Sequence, residues 1–320
     1  MNRGALYWSV AALVAIVAGV SLAPLPADLL REQIHDAAHV VVFTIFGTLL
    51  VRLLVLRLRS LWTAVGATLV LGVLAGALTE YAQSFLAGDP SIGDVGRDLL
   101  GTTVGCLLML PVALARATGR RSSTVYGVAW LLAAAGLFAG MVPLLATLAA
   151  YHERDRRLPV LLDPAIGPSL AFAEIRADAR QSSRGIVRVP QPWNEGDTEL
   201  AIDVPLEHSR WPGLTLREPS PDWRGYRALM LDLVNPGERP LELGLRVDDV
   251  DSGNAYEQRY NGSFTLPART RRQVEVTLEQ IAAGPRHRHL DLARIRQVIV
   301  FHDGPLPGER FLLRELRLER

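Results

Sequence analysis

Five long apolar stretches dominate the first half of the chain, at roughly residues 5–23, 39–58, 62–86, 95–115 and 124–150. A helix needs about 20 mostly apolar residues to cross the hydrocarbon core of a bilayer, so each stretch is long enough to span one. Ionisable side chains are rare in these runs and sit near their ends. His39 opens the second stretch, Glu80 and Gln83 lie near the end of the third, and Asp94, Arg97 and Asp98 open the fourth. Charges at membrane depth are costly, and those that persist are usually paired or functional.

The character of the chain changes near residue 150. Of its 34 basic residues, nine precede that point, and the acids divide in a similar way, leaving a net charge of +1 over 320 residues. No basic surface marks a nucleic-acid partner. All basic residues are Arg, which reads as composition bias rather than chemistry. Cys106 is the one cysteine and falls inside an apolar run, so it has no internal disulfide partner and reads as a packing residue.

The short loops set an expected orientation. Arg52, Arg57 and Arg59 flank one turn and Arg116, Arg120 and Arg121 another, whereas the intervening loops carry Asp28, Glu32 and Asp36, and Asp89 and Asp94. The positive-inside rule assigns the Arg-rich loops to the cytoplasm. The N-terminus is then cytoplasmic and residues 151–320 extracytoplasmic, on a multi-pass protein of the cytoplasmic (inner) membrane. The first stretch follows Arg3 as a signal peptide would, but its apolar run is long and no A-x-A-like site precedes Pro24, so it reads as an uncleaved anchor.

This topology brings the polar ends of three helices to the outer face. Gly72, Gly76, Glu80 and Gln83 recur at intervals of four, four and three, and so share one helical face. Asp94, Asp98, Gly101, Thr102 and Gly105 make a matching stripe of polar and small residues, and small residues let helices approach closely in lipid. If Glu80 and Asp98 lie close and partly buried, they require a counter-charge from Arg97 or His39. That arrangement suits acid–base chemistry by His39, Glu80, Asp94 or Asp98, or the binding of a polar head group with Gln83 and Arg97. It equally suits a structural network in which these groups satisfy one another, with Asp94 as the N-cap of its helix.

The segments HDAAHVVVFTIFGTLL and TEYAQSFLAGDPSIGDVGRDLLGTTVG resemble the VanZ-like membrane family over about residues 30–117. The positions that carry the resemblance are His39, Phe43, Gly47, Glu80, Gln83, Asp94, Gly101 and Gly105. The family usually has Asp-Lys ahead of the His, where this chain reads His35-Asp36, and Asn where this chain has Asp98. The usual Arg before Asp94 is replaced by Asp89, Pro90 and Ser91. The resemblance implies a protein of the bacterial envelope, in a family associated with glycopeptide resistance, and implies no particular reaction.

Beyond a linker at 151–184, apolar and polar residues alternate in short runs at 201–206, 226–235, 241–249, 263–268, 272–278, 295–303 and 311–319. Strands of this length between Pro, Gly, Asp and Asn turns predict an antiparallel sandwich over 185–320. A helical insert is expected at LEQIAAG and LDLARI, where the spacing loosens. The succession of strands resembles the galactose-binding-like jelly rolls that serve as carbohydrate-binding modules. Many of these hold calcium through an Asp of the last strand, where this chain has Arg314 and Glu315.

Sugar sites combine aromatic platforms with a few polar groups. Trp193, Trp211 and Trp223 read first as core. Tyr256, Tyr260 and Asn261, in the polar stretch DSGNAYEQRYNGS, are the contact candidates, near Asp248 and Asp249. His287 and His289 have no third ligand nearby in sequence and read as a solvated turn, so no metal or other cofactor is expected. There is no G-x-S-x-G, H-E-x-x-H or phosphate-cradling loop.

The expected class is therefore α + β multidomain: a five-span helical bundle over 1–150, then an all-β jelly roll. Its expected partners are the lipid bilayer and a glycan or lipid-linked glycan. Three functions fit: an envelope protein whose outer domain binds glycan or envelope polymer, a membrane enzyme that modifies a lipid head group or lipid-linked glycan, and a non-catalytic assembly scaffold.

Overall fold

The structure, a computed structural model, describes residues 28–85, 91–176, 185–194, 196, 198–207, 209–253 and 255–320. The chain forms two compact units, Met1–Leu148 and Ala149–Arg320. A helical region is followed by antiparallel sheets. The apolar stretch at 5–23 lies outside the described residues.

Among the described residues, four helices are long and apolar enough to cross a membrane. They are α1 (Leu29–Val55), α2 (Leu61–Gln83), α3 (Ile92–Thr118) and α4 (Ser123–Arg156). Helix α1 begins ten residues before the expected start at His39, because Asp28 caps it. The Asp28 carboxylate accepts the Arg31 N–H at 2.8 Å, and Glu32 adds a favourable charge in the first turn. His39 consequently lies inside the helix rather than at its start. Asp94 is not the N-cap of its helix. Ser91 takes that position, accepting the Gly93 N–H at 3.1 Å, and Asp94 falls in the first turn.

The helices of the first unit pack through small residues. A methyl at Gly101 would stand 2.5 Å from the Val40 carbonyl oxygen, and one at Gly105 would stand 2.5 Å from both the Thr44 oxygen and the Thr48 nitrogen. The α1 and α3 backbones therefore touch directly, as stripes of small residues permit. Gly76 plays the same part for α2, since a methyl there would stand 2.6 Å from Asp98 Oδ2. The buried hydroxyls of Thr44, Thr68 and Thr102 donate to the carbonyls four residues back at 2.7–2.8 Å, so they add no unpaired group. A Gly105→Val chain must push α1 and α3 apart. We expect a loss of about 1–3 kcal/mol, read as a lower melting temperature and reduced monodisperse yield in detergent; melting equal to wild type would refute the contact.

The second unit is a sandwich, with eleven strands among the described residues: β1 (Val160–Leu162), β2 (Ala173–Arg176), β3 (Gly185–Arg188), β4 (Leu200–Pro205), β5 (Gly213–Arg217), β6 (Ala228–Asn235), β7 (Leu241–Asp249), β8 (Tyr260–Leu266), β9 (Thr270–Thr277), β10 (Ile295–His302) and β11 (Arg310–Glu319). One sheet runs β3-β4-β11-β6-β9, with β1 also on β11, and the other runs β2-β5-β10-β7-β8. Every pairing is antiparallel. Leu229, Leu231 and Leu233 of β6 and Leu241, Leu243, Leu245 and Val247 of β7 are fully buried in the core, each contributing about 1.5–3 kcal/mol by burial.

All seven expected strands are present, the one at 241–249 with the expected ends and the other six with shifted ends. The stretch 151–184, read as a linker, contributes β1 and β2 to the sandwich, and β3 and β5 are also additional. These strands are three to five residues long, too short to display an alternation. The expected helical insert divides. Residues Leu278–Ala282 form α5, opened by a capping box between Thr277 and Gln280. LDLARI is a turn leading into β10, because the Asp291 N–H is taken by the Asp249 carboxylate and the Arg294 N–H by the Asp291 carbonyl.

Two ionic clips hold the sandwich's loops. Arg271 donates to Asp232, Glu199 and the Trp193 carbonyl, tying the 190–199 loop across one sheet, where Trp193 packs on Val189, Ala201, Val234 and Leu312. Arg288 forms a fork on Asp249 at 2.5 and 2.6 Å, and the Ser252 hydroxyl and the Asp251 and Asp291 N–H groups complete the carboxylate's shell. Burial alone would raise the Asp249 pKa, but these donors outweigh it and hold it at about 2.

Candidate functional site

In the helical unit, α1 contributes Asp36 and His39, α2 contributes Glu80 and α3 contributes Asp94, Arg97 and Asp98. His39 and Asp98 are completely enclosed, and Glu80 and Asp94 are each 7% exposed. His39 Nδ1 and Asp98 Oδ1 are 2.8 Å apart. An ionised carboxylate only accepts, so with Asp98 ionised the Nδ1–H donates to it, and Nε2 stands without a partner among the described residues on the far side of the ring. The ring lies parallel to Phe43, one turn along α1, and tilts against His35 at 4.8 Å. The glycine contacts fix the pair: Gly101 brings α1 onto α3, and Gly76 brings α2 against the free side of the Asp98 carboxylate.

Arg97 spans two helices. One Nη meets Asp36 Oδ2 at 2.7 Å and the other meets Asp94. Asp36 is the member of this cluster that sequence reading did not place among the site candidates. The signal was its i, i+3 spacing from His39, which puts both on one face once the helix starts at Leu29. Glu80 Oε2 accepts the Ser91 N–H at 2.7 Å, binding the end of α2 to the start of α3. Gln83 is the final residue of α2.

Three enclosed atoms here have no hydrogen-bond partner among the described residues: His39 Nε2, Glu80 Oε1 and Asp98 Oδ2. Buried polar groups are paired in the great majority of cases. The carboxylate oxygens accept when ionised, and the imidazole nitrogen accepts or donates with the protonation state of the ring. Chemically this is an enclosed polar site with unfilled hydrogen-bonding capacity, able to take hydroxyl groups or exchange a proton.

In the sandwich unit the three candidate contact residues do not share a surface. Tyr256 is 59% exposed and carries Arg259 over its ring at 5.6 Å. The Asn261 amide is occupied by its own loop, donating to the Tyr256 carbonyl at 2.9 Å and accepting from Arg259 at 3.1 Å. It shapes the turn that presents Tyr256. Tyr260 faces the other way, packed against Gly262 and Gly284, and burial raises its phenol pKa. Trp223 is fully enclosed, its indole N–H donating to the Ser220 carbonyl at 2.8 Å. His287 and His289 flank Arg288, and among the described residues no three His, Cys, Asp or Glu side chains are grouped to hold a metal ion.

Fold and site together describe a chain that joins helices long enough to span a membrane, with an enclosed polar cluster, to an antiparallel β-sandwich. No family model matches the chain, and no curated protein matches it. Among solved structures it is similar to an exo-β-agarase, at 14% identity over 47% of this chain and 23% of that chain, with a TM-score of 0.36. It is also similar to the family 11 carbohydrate-binding module from Clostridium thermocellum in complex with a β-1,3-1,4-mixed-linked tetrasaccharide, at 13% identity over 46% of this chain and 95% of that one, TM-score 0.32. An arabinose-bound α-L-arabinofuranosidase matches at 12% identity over 48% and 24%, TM-score 0.34. The chain spans less than a quarter of the agarase it matches.

Proposed function

We propose that this chain is a VanZ-like integral membrane protein of a bacterial cytoplasmic (inner) membrane, whose extracytoplasmic sandwich binds glycan or envelope polymer while its helical unit engages the lipid-proximal end of the same molecule. The observation that carries the helical half of this reading is the set of unpartnered polar atoms on His39, Glu80 and Asp98, enclosed between α1, α2 and α3. A purely structural network would be expected to satisfy its own members, since a half-satisfied buried network costs more than an apolar one. The motifs around His39, Glu80 and Asp94 support the family reading. The sandwich reading is supported by the jelly-roll-like strand pattern and by aromatic side chains set among polar ones.

A membrane enzyme is the second reading, favoured by one feature. His39 is oriented by Asp98 through Nδ1 and offers Nε2, the arrangement of a general base held in one tautomer. Both readings are tested by comparing lipid and glycan species in cells with the wild-type protein, a deletion, and Glu80→Gln or Asp98→Asn forms at matched membrane levels. Accumulation of one lipid-linked species in the deletion and both variants is the expected result. Wild-type profiles in both variants would remove the cluster from function.

A further inference from the structure

Strands β8 and β9 follow one another in the chain but end the two different sheets, so their facing edges frame a gap at one side of the sandwich. Along β8, Tyr260, Gly262 and Phe264 pair with Val247, Leu245 and Leu243, the buried row of β7, and so turn toward the space between the sheets. Along β9, Val274 and Val276 pair with Leu231 and Leu229, the buried row of β6, and face the same space. Gly262 places no side chain between the two aromatic rings, and the Tyr260 hydroxyl reaches into the position its Cβ would occupy. The result is a half-open cavity of about 450 Å³. Clefts that bind small molecules run from about 300 to 1,000 Å³.

The lining of this cleft has two parts. Its floor is Leu245, Val274 and Val276, with Tyr260 and Phe264 as aromatic walls. Its rim carries Arg272, Glu275 and Gln280, all exposed. One Arg272 Nη donates to the Thr265 carbonyl at 2.9 Å, one Glu275 oxygen accepts from Arg227 and the Gln280 oxygen accepts the Thr277 N–H. The remaining guanidinium N–H groups, the second Glu275 oxygen and the Gln280 amide N–H groups are what a ligand would meet. The cleft's open lining is mostly polar, and the two aromatic rings beside a guanidinium, a carboxylate and an amide match a sugar ring, which has C–H patches and hydroxyl edges. A second cavity of about 440 Å³ is lined by Asp232, Arg271, Gln273 and Arg314, but there the acids and guanidinium groups are engaged with one another and with Glu199.

We infer that the cleft between β8 and β9 is a saccharide-binding site, taking a neutral pyranose unit against Tyr260 and Phe264 with its hydroxyls on Arg272, Glu275 and Gln280. This rests on the glycan-binding reading of the sandwich and assigns it a place, away from the exposed Tyr256. The test is isothermal titration of the full chain in detergent micelles with cellotetraose, chitotetraose and a β-1,3-1,4-linked glucan tetrasaccharide, and with solubilised peptidoglycan and lipopolysaccharide. Phe264→Ala and Arg272→Ala are the cleft variants and Tyr256→Ala is the control, each checked by thermal melting. Arg272 is exposed, so its variant keeps the test open if Phe264→Ala fails to fold.

The expected result is binding of at least one probe by the wild type, weakened about tenfold, or about 1.4 kcal/mol, in each cleft variant and unchanged by Tyr256→Ala. Wild-type affinity in both cleft variants would overturn the site while leaving the glycan reading standing. Absence of binding to every probe by the wild type would overturn both.

Discussion

An Arg288→Ala chain loses about 3–5 kcal/mol of sandwich stability, the cost of stranding a buried charge whose partner has been removed. Asp249 is 1% exposed and closes the end of β7, and the Arg288 fork is its strongest donor set. Arg288 also reaches the Gln258 carbonyl at 2.5 Å, so its loss frees the turn that carries Tyr256. The measurement is hydrogen exchange of the full chain, with protection expected to fall first in the 249–258 loop and then across β7 and β10. Protection equal to wild type would show that the Ser252 hydroxyl and the Asp251 and Asp291 N–H groups suffice without Arg288.

The same carboxylate gives a pH dependence of definite sign. Its pKa is about 2 in the folded chain against an ordinary value of 3.8. A lowered acid pKa stabilises the fold above the unfolded value, so this contribution is fully present above about pH 5 and is lost as the pH falls from about 4 toward 2. Unfolding followed between pH 5 and 2 reads it directly. In Asp249→Asn, which carries no charge to lose, this part of the slope disappears.

Arg97→Ala carries the second large effect. Asp36 on α1 and Asp94 on α3 share this one guanidinium, and both are mostly enclosed. Without it two mostly enclosed carboxylates face each other across a helix contact with no counter-charge. A destabilisation of about 3–5 kcal/mol follows from the unpaired charges, read as reduced membrane levels and a lower melting temperature in detergent. Arg97→Lys recovers only part, because a single ammonium cannot fork between acids on two helices. An Asp36→Asn, Arg97→Ala, Asp94→Asn triple variant removes the charges together and is expected to melt nearer to wild type than Arg97→Ala does. Equal destabilisation in the two would show that packing of the Arg97 stem, rather than its charge, holds the contact.

Much of the helical site was legible before any coordinates. The intervals linking Gly72, Gly76 and Glu80, and Asp98, Gly101 and Gly105, are consequences of 3.6 residues per turn, and they name the faces that meet. The helix start was misplaced because hydropathy marks where a span becomes apolar, whereas the helix begins where Asp28 caps it, before the apolar run. For the sandwich, long strands with alternating burial were readable and short ones were not. Tyr256, Tyr260 and Asn261 formed one candidate group because they are neighbours in sequence, yet a turn and a strand face separate them in space.

The sequence by itself determined that the first half is built of membrane-length helices with a few polar side chains on matching faces, and that the second half is made of antiparallel strands. Those properties follow from periodicity and composition, which act locally. Tertiary structure alone decided that His39 pairs with Asp98, that Arg97 serves acids on two helices, that Asp249 is closed by Arg288, and that β8 and β9 face each other across an open cleft. Each of these joins side chains far apart in sequence or on separate helices and strands, through packing that no local pattern encodes.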